Sequence, residues 1–232
     1  MNYETRLCIK VAAFLFPIIV VALRLISILP SVNFPSQTKD VKSIADVPLG
    51  EKESNIMILL GSGGHTGEMM RILANVDLGN LTRTWVVSSG DTTSLTKAKD
   101  YEQTNFDDAN SNKTEYLTLH RARKVGEPLL SSVKSTIKSF IHTLQSLREL
   151  TQLPSVLLLN GPGTSVPLAY ILFGMKFLGL CKTRIIYIES LARVNSLSVS
   201  GLLLLPIADR FIVQWEPLFY KYKRAEYYGI LI

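Results

Sequence analysis

The sequence predicts an α/β fold: one parallel sheet covered by helices, preceded by a membrane helix. Three observations predict it. From residue 56 onward, short apolar runs alternate with longer helical stretches, the rhythm of a parallel sheet clothed on both faces. Glycine-rich loops follow the first and fourth of those runs, the strand ends at which open sheets bind ligands. Residues 11–23, VAAFLFPIIVVAL, contain no charge.

The chain has 232 residues, 47% hydrophobic and 19% charged. That is long enough for one domain with an appendage and too apolar for a disordered chain. Two cysteines exclude a disulfide framework. Cys181 reads as an inert thiol in a reducing compartment. The net charge of +6 is spread along the sequence. It favours anionic partners, but no dense basic tract interleaved with aromatics points to nucleic acid.

The charge-free run is shorter than a spanning helix, but Lys10 and Arg24 stand near its ends, where long side chains snorkel. Residues 1–30 are therefore expected to form an uncleaved anchor, kinked at Pro17. A cleaved signal peptide is the rival reading, against which no small-residue cleavage pattern follows. The basic residues lean weakly toward a cytosolic main domain. Sequons at Asn80 and Asn112 would carry glycans in a lumenal domain. Residues 31–54, polar and proline-containing, read as a linker.

The domain is expected over residues 55–215. Its strands fall at 56–60, 84–87, 116–119, 156–159, 185–188 and 211–213. Its helices fall at 67–76, 95–103, 127–150, 165–180 and 199–204. Helix 127–150 carries one apolar face at helical spacing. Helix 165–180 is apolar enough for three outcomes: core helix, surface contact with a membrane, or a second span. Six strands in this rhythm make a Rossmann-like sheet. Residues 216–232 form a tail mixing aromatics and bases and ending Ile230-Leu231-Ile232. It either folds back onto the core or docks a partner.

The first loop reads Gly61-Ser62-Gly63-Gly64-His65-Thr66-Gly67-Glu68. Its glycines let backbone amides approach an anion at a helix start. It is neither a Walker A loop, lacking the lysine, nor a dinucleotide fingerprint, since Thr66 stands where the third glycine belongs. The second run ends Ser88-Ser89-Gly90, with no acid for a ribose. His65 is either an acid–base group or a structural tie for the turn. Glu68 is either a helix-start residue or an orienting group. The second loop, Asn160-Gly161-Pro162-Gly163-Thr164-Ser165, sits beside the first if their strands are neighbours, and the pair then suggests a diphosphate cradle. Glu189 ends the fifth strand. It is a site candidate facing the cleft, or half of an i,i+4 pair with Arg193. His65, His120 and His142 lie on different elements, so no metal site is expected.

Four motifs in order, ILLGSGGHTGEM, VVSSGD, LLLNGPGT and IYIESLARV, resemble the asparagine-linked glycosylation protein 14 family. The resemblance covers Ile56 to the C terminus and implies the N-terminal half of a split GT-B glycosyltransferase. It implies a membrane-bound, acceptor-binding subunit of an endoplasmic reticulum N-acetylglucosaminyltransferase. That enzyme adds the second GlcNAc to GlcNAc-diphosphate-dolichol. UDP-GlcNAc would be the donor of the complex, bound by a soluble subunit of the asparagine-linked glycosylation protein 13 type, with no cofactor on this chain alone. By that resemblance Gly61, Ser62, Gly63, Gly64, Thr66, Gly161, Gly163 and Thr164 hold the acceptor diphosphate. His65 and Glu189 are catalytic, and Ile230, Leu231 and Ile232 dock the partner. The alternatives are a self-sufficient nucleotide-dependent enzyme and a pure anchor without chemistry.

Overall fold

A computed structural model describes residues 3–33, 55–106, 114–120 and 132–232. Most of the expected linker, the Asn112 sequon and the first residues of the expected helix 127–150 lie outside the described residues.

Helix α1 (Tyr3–Ile28) is followed by a single turn, α2 (Pro30–Asn33). The helix continues through Pro17. Its stretch Leu7–Ile28 is 22 residues long, and none of its 18-residue apolar core is buried by the rest of the chain, although Ile28 at its end packs against the domain. At 1.5 Å per residue that spans about 33 Å, enough to cross a hydrocarbon core.

The domain then alternates β1 (Asn55–Leu60), α3 (Gly64–Leu73), β2 (Thr82–Ser88), α4 (Thr92–Asn105) and β3 (Thr114–Leu119). It continues with α5 (Ser132–Arg148), β4 (Val156–Asn160), α6 (Ser165–Phe177), β5 (Arg184–Ile188) and α7 (Val199–Leu204). Last come β6 (Arg210–Val213), α8 (Glu216–Lys221) and β7 (Glu226–Tyr227). The strands form one sheet in the order β3-β2-β1-β4-β5-β6-β7. Every pairing is parallel. β1 and β4 are buried along their whole length, as central parallel strands must be.

One core lies under α5, α6 and α7, with Leu147, Leu168, Leu172, Phe173 and Leu204 against Met57, Leu157 and Tyr187. The other lies under α3 and α4, with Met69, Leu73 and Ala98 against Ile58, Leu60 and Trp85. A buried polar knot fastens α4 to β2. Glu102 accepts from Arg83 Nε at 2.8 Å, Trp85 Nε1 at 2.6 Å and Thr114 Oγ1 at 2.9 Å.

Four expectations change. Helix α3 starts at Gly64, three residues early, because Gly63 turns the chain at φ +67° and the glycines after it enter the helix. Helix α4 is longer because Asp91 caps it, accepting from Ser94 N at 3.1 Å. The apolar positions of α5 do not all face the core: Ser139 and Thr143 are fully buried, whereas Ile137 and Ile141 are more than half exposed. Helix α6 ends at Phe177, with Gly179 at φ +76° beyond it. Its buried Leu168, Ala169, Leu172 and Phe173 make it a core helix.

The sheet also has seven strands where six were expected. Residues read as a tail add α8 and β7. Glu226 pairs in register with Ile212 and Tyr227 with Val213. The Arg210 guanidinium holds Glu226 at 2.7 Å and donates to Tyr228 Oη. That contact keeps Arg210 charged, raising its pKa despite partial burial. Tyr228 and Leu231 pack on the core under α3 and α4.

Candidate functional site

Because β1 pairs with β4, the two glycine-rich loops meet above adjacent strand ends. That juxtaposition is the one the sequence made conditional. His65 stands between them, on the first turn of α3, its side chain about one third exposed. Ser62, Gly63 and Gly64 are exposed beside it. The first helical hydrogen bond runs from Gly67 N to Gly63 O. The amides before it lack an internal acceptor and carry the positive end of the helix dipole. This is an anion-binding arrangement.

The glycines divide by role. A Cβ on Gly63, Gly64 or Gly163 would meet open space, so a ligand can approach their backbone. A Cβ on Gly61 would lie 2.8 Å from His65 Cβ and 2.9 Å from Pro162 Cγ. One on Gly161 would lie 2.7 Å from His65 Nδ1. Those two glycines admit the imidazole between the loops.

Thr66 is buried. Its hydroxyl donates to Gly61 O and pairs with Ser94 Oγ at 2.6 Å, so it ties the loop to the start of α4. Thr164 is buried with its hydroxyl 3.2 Å from Ser88 Oγ. In the second loop, Ser165 N and Val166 N already donate to Pro162 O and Gly163 O. Those two amides are therefore not free for a ligand.

Asn160, fully buried at the end of β4, links two groups. Its Nδ2 donates to Glu68 Oε2 at 3.1 Å, and its Oδ1 lies 3.0 Å from His65 Nδ1. A carboxylate accepts only, so Glu68 decides which way the amide points. Asn160 Oδ1 then accepts from His65 Nδ1–H, which in the neutral imidazole places the lone pair on Nε2. The other Glu68 oxygen accepts from Leu191 N at 2.7 Å and Ser190 Oγ at 3.1 Å. Glu68 is therefore an orienting group that fixes one imidazole tautomer. Sequence reasoning left Glu68 open and gave Asn160 no role. The available signal was a polar residue closing the apolar run Val156–Leu159.

Glu189 is where expectation and structure part. It does not face the cleft, nor does its carboxylate pair with Arg193. It is fully buried and accepts from Ser198 N at 3.0 Å, Ser190 N at 3.1 Å and Ser198 Oγ at 3.1 Å. Tyr187 Oη approaches it at 3.4 Å. A group so enclosed orders the β5–α7 connection. Burial, then the Glu189 charge, raises the Tyr187 phenol far above its ordinary range.

Leu231 N donates to Gln214 Oε1 at 3.3 Å, while Gln214 Nε2 donates to Glu189 O at 3.1 Å. The tail is thus connected to the site's rear wall. Ile230 points outward, half exposed.

Comparison with known proteins follows the same lines. A family model described as "Oligosaccharide biosynthesis protein Alg14 like" matches residues 56–231. The "UDP-N-acetylglucosamine transferase subunit ALG14" of Debaryomyces hansenii is 64% identical over 100% of both chains. That of Candida albicans is 53% identical, also over 100% of both. The Schizosaccharomyces pombe subunit is 39% identical over 77% of this chain and 84% of its own. Among solved structures, Acinetobacter baumannii MurG is similar with TM-score 0.44 and 13% identity, over 70% of this chain and 41% of that one. Arabidopsis thaliana UGT89C1 complexed with UDP-L-rhamnose gives TM-score 0.48 and 12% identity, over 78% and 53%. The model spanning the whole domain and the full-length relatives agree: the chain belongs to the Alg14 family.

Proposed function

We propose that this chain is the membrane-bound, acceptor-binding subunit of a two-subunit UDP-N-acetylglucosamine transferase. The complex adds the second GlcNAc to GlcNAc-diphosphate-dolichol on the cytosolic face of the endoplasmic reticulum. A soluble subunit of the asparagine-linked glycosylation protein 13 type supplies the donor site. The observation that carries the proposal is the His65–Asn160–Glu68 relay beside the open amides of α3.

The chemistry follows from that placement. The diphosphate lies against the amides of residues 62–64 and the exposed backbone of Gly163. Thr66, Thr164, Gly61 and Gly161 shape the loops. The acceptor sugar hydroxyl reaches His65 Nε2, which takes its proton as the oxygen attacks the anomeric carbon of the donor and UDP departs. Asn160 and Glu68 hold the imidazole in the accepting tautomer and stabilise the imidazolium that forms. Helix α1 keeps the chain in the membrane. Ile230 and Ile232 offer the partner an apolar contact, held at the sheet edge by β7 and Leu231.

The test is GlcNAc transfer to a GlcNAc-diphosphate-polyprenol in membranes carrying this chain, with and without the soluble subunit. Activity only with both is expected; activity with this chain alone overturns the division of labour. His65→Ala should lower turnover with the complex intact. Deleting Ile230–Ile232 should release the partner, and retained co-purification would refute the docking role.

A further inference from the structure

Glu68 orients Asn160 and His65, and the turn that follows β5 orients Glu68. Arg193 N donates to Ser190 O at 2.9 Å, closing residues 190–193 into one turn. Inside it, Ser190 Oγ accepts from Ala192 N at 3.3 Å and donates its single proton to Glu68 Oε1 at 3.1 Å. Leu191 N donates to the same oxygen at 2.7 Å. One carboxylate oxygen thus takes two donors from the turn, and the other, Oε2, faces Asn160 Nδ2 at 3.1 Å.

The turn is itself gripped from the neighbouring strand. Just past β6, Gln214 Nε2 donates to Glu189 O at 3.1 Å, and Trp215 Nε1 donates to Leu191 O at 2.6 Å. Those two carbonyls flank Ser190, so the chain is held on both sides of the hydroxyl. Residues 192–196 beyond the grip are all exposed. Packing does not fix that stretch; the indole hydrogen bond stops its mobility from reaching Leu191 N.

The grip decides what Glu68 does to the imidazole. Glu68 Oε2 lies 3.6 Å from His65 Nδ1, beyond hydrogen-bond distance, while Asn160 Oδ1 stands 3.0 Å from that nitrogen. A carboxylate released from the turn can rotate onto Nδ1 or out to solvent. Asn160 then loses the acceptor that fixes its amide. Turned over, that amide presents Nδ2 to the ring, and the neutral imidazole must carry its proton on Nε2, where the lone pair is needed. We infer that Ser190 and Trp215 are positioning residues for the transfer reaction: the 190–193 turn holds Glu68 away from direct contact with His65, and Trp215 locks the turn. Both act through Glu68 and Asn160. Their effect on rate rests on the role proposed above for His65; their effect on its tautomer does not.

The experiment uses the full chain in lipid nanodiscs with the soluble subunit. It compares wild type, Ser190→Ala, Trp215→Phe, Glu68→Ala and each of the first two variants combined with Glu68→Ala. The chain has three histidines, so ring-nitrogen NMR with isotope-labelled histidine on this chain resolves His65, identified by its loss in His65→Ala. At a pH where the imidazole is neutral, wild-type His65 should carry its proton on Nδ1. Ser190→Ala and Trp215→Phe should each shift the ring toward the Nε2–H tautomer. Each should lower kcat about 10-fold and leave the acceptor KM unchanged, because the amides of the first loop are untouched. In the Glu68→Ala background neither should cost anything further. Additive losses overturn the proposal, since the turn then acts on something other than Glu68. So does a wild-type ring protonated on Nε2, or a tautomer that neither variant moves even though turnover falls. A shifted tautomer with wild-type turnover would retain the positioning and reject His65 as the base. Trp215→Phe keeps an aromatic ring in place and Ser190→Ala removes one oxygen, so either variant decides the matter if the other fails to fold.

Discussion

Gly161→Ala tests the site with a single methyl group. Gly161 adopts φ +57°, and an added Cβ would stand 2.7 Å from His65 Nδ1. That is about 0.7 Å short of ordinary contact, which starts at 3.4 Å. The ring must withdraw by at least that amount and give up its 3.0 Å contact with Asn160. The left-handed backbone costs alanine about 1–2 kcal/mol, and the lost hydrogen bond about 1 kcal/mol more. In a domain of this size the sum lowers Tm by roughly 4–12 °C. Displacement of an acid–base group by close to 1 Å costs turnover on the order of 100-fold. The assay is GlcNAc transfer by the two-subunit complex at saturating acceptor, with thermal unfolding followed in parallel. Gly163→Ala is the contrast. Its Cβ meets no protein atom, so stability should hold while the acceptor KM rises. Adding His65→Ala to Gly161→Ala removes the clash and should recover part of the Tm but none of the turnover. A folded Gly161→Ala complex with wild-type turnover would refute the assignment of His65 to the chemical step.

Three further outcomes follow from the same geometry. Glu68→Gln can present its amide to Asn160, turn that side chain over and favour the wrong imidazole tautomer. Turnover should fall about 10- to 100-fold with acceptor KM little changed, and an unchanged rate would show that the relay does not orient His65. Glu102→Ala leaves the fully buried Arg83 guanidinium without its carboxylate. It should cost about 3–5 kcal/mol in denaturant unfolding, and a loss under ~1 kcal/mol would mean the backbone carbonyls suffice. Tyr187 keeps its proton in the folded state far above the ordinary value of 10.0. Its contribution is complete below pH ~10, and stability then falls as pH rises because only the unfolded chain ionises, by up to about 1.4 kcal/mol per pH unit. Denaturation curves across that range should be flatter for Tyr187→Phe; identical slopes would refute the buried phenol.

The strand–helix alternation was legible because each parallel strand, buried on both faces, must be a short continuous apolar run. The neighbouring loops after β1 and β4 follow from the strand order that this alternation adopts. The α1 stretch was legible because length and the absence of charge are one-dimensional properties. The sixth strand was found and the seventh was not: Glu226–Tyr227 is two residues of mixed polarity, held by pairing with β6 and by Arg210 rather than by its own pattern. The stripe on α5 was read as core because periodicity reports that apolar residues share a face, not which way that face turns. The site divides similarly. Its glycine-rich loops and His65 could be named from residue type and spacing. That Asn160 joins His65 to Glu68, that Glu189 is enclosed by Ser190 and Ser198, and that Arg24 clasps the end of α6 were decided only by the tertiary structure. Those contacts join residues far apart in the chain, and their direction depends on side-chain packing that no local propensity encodes.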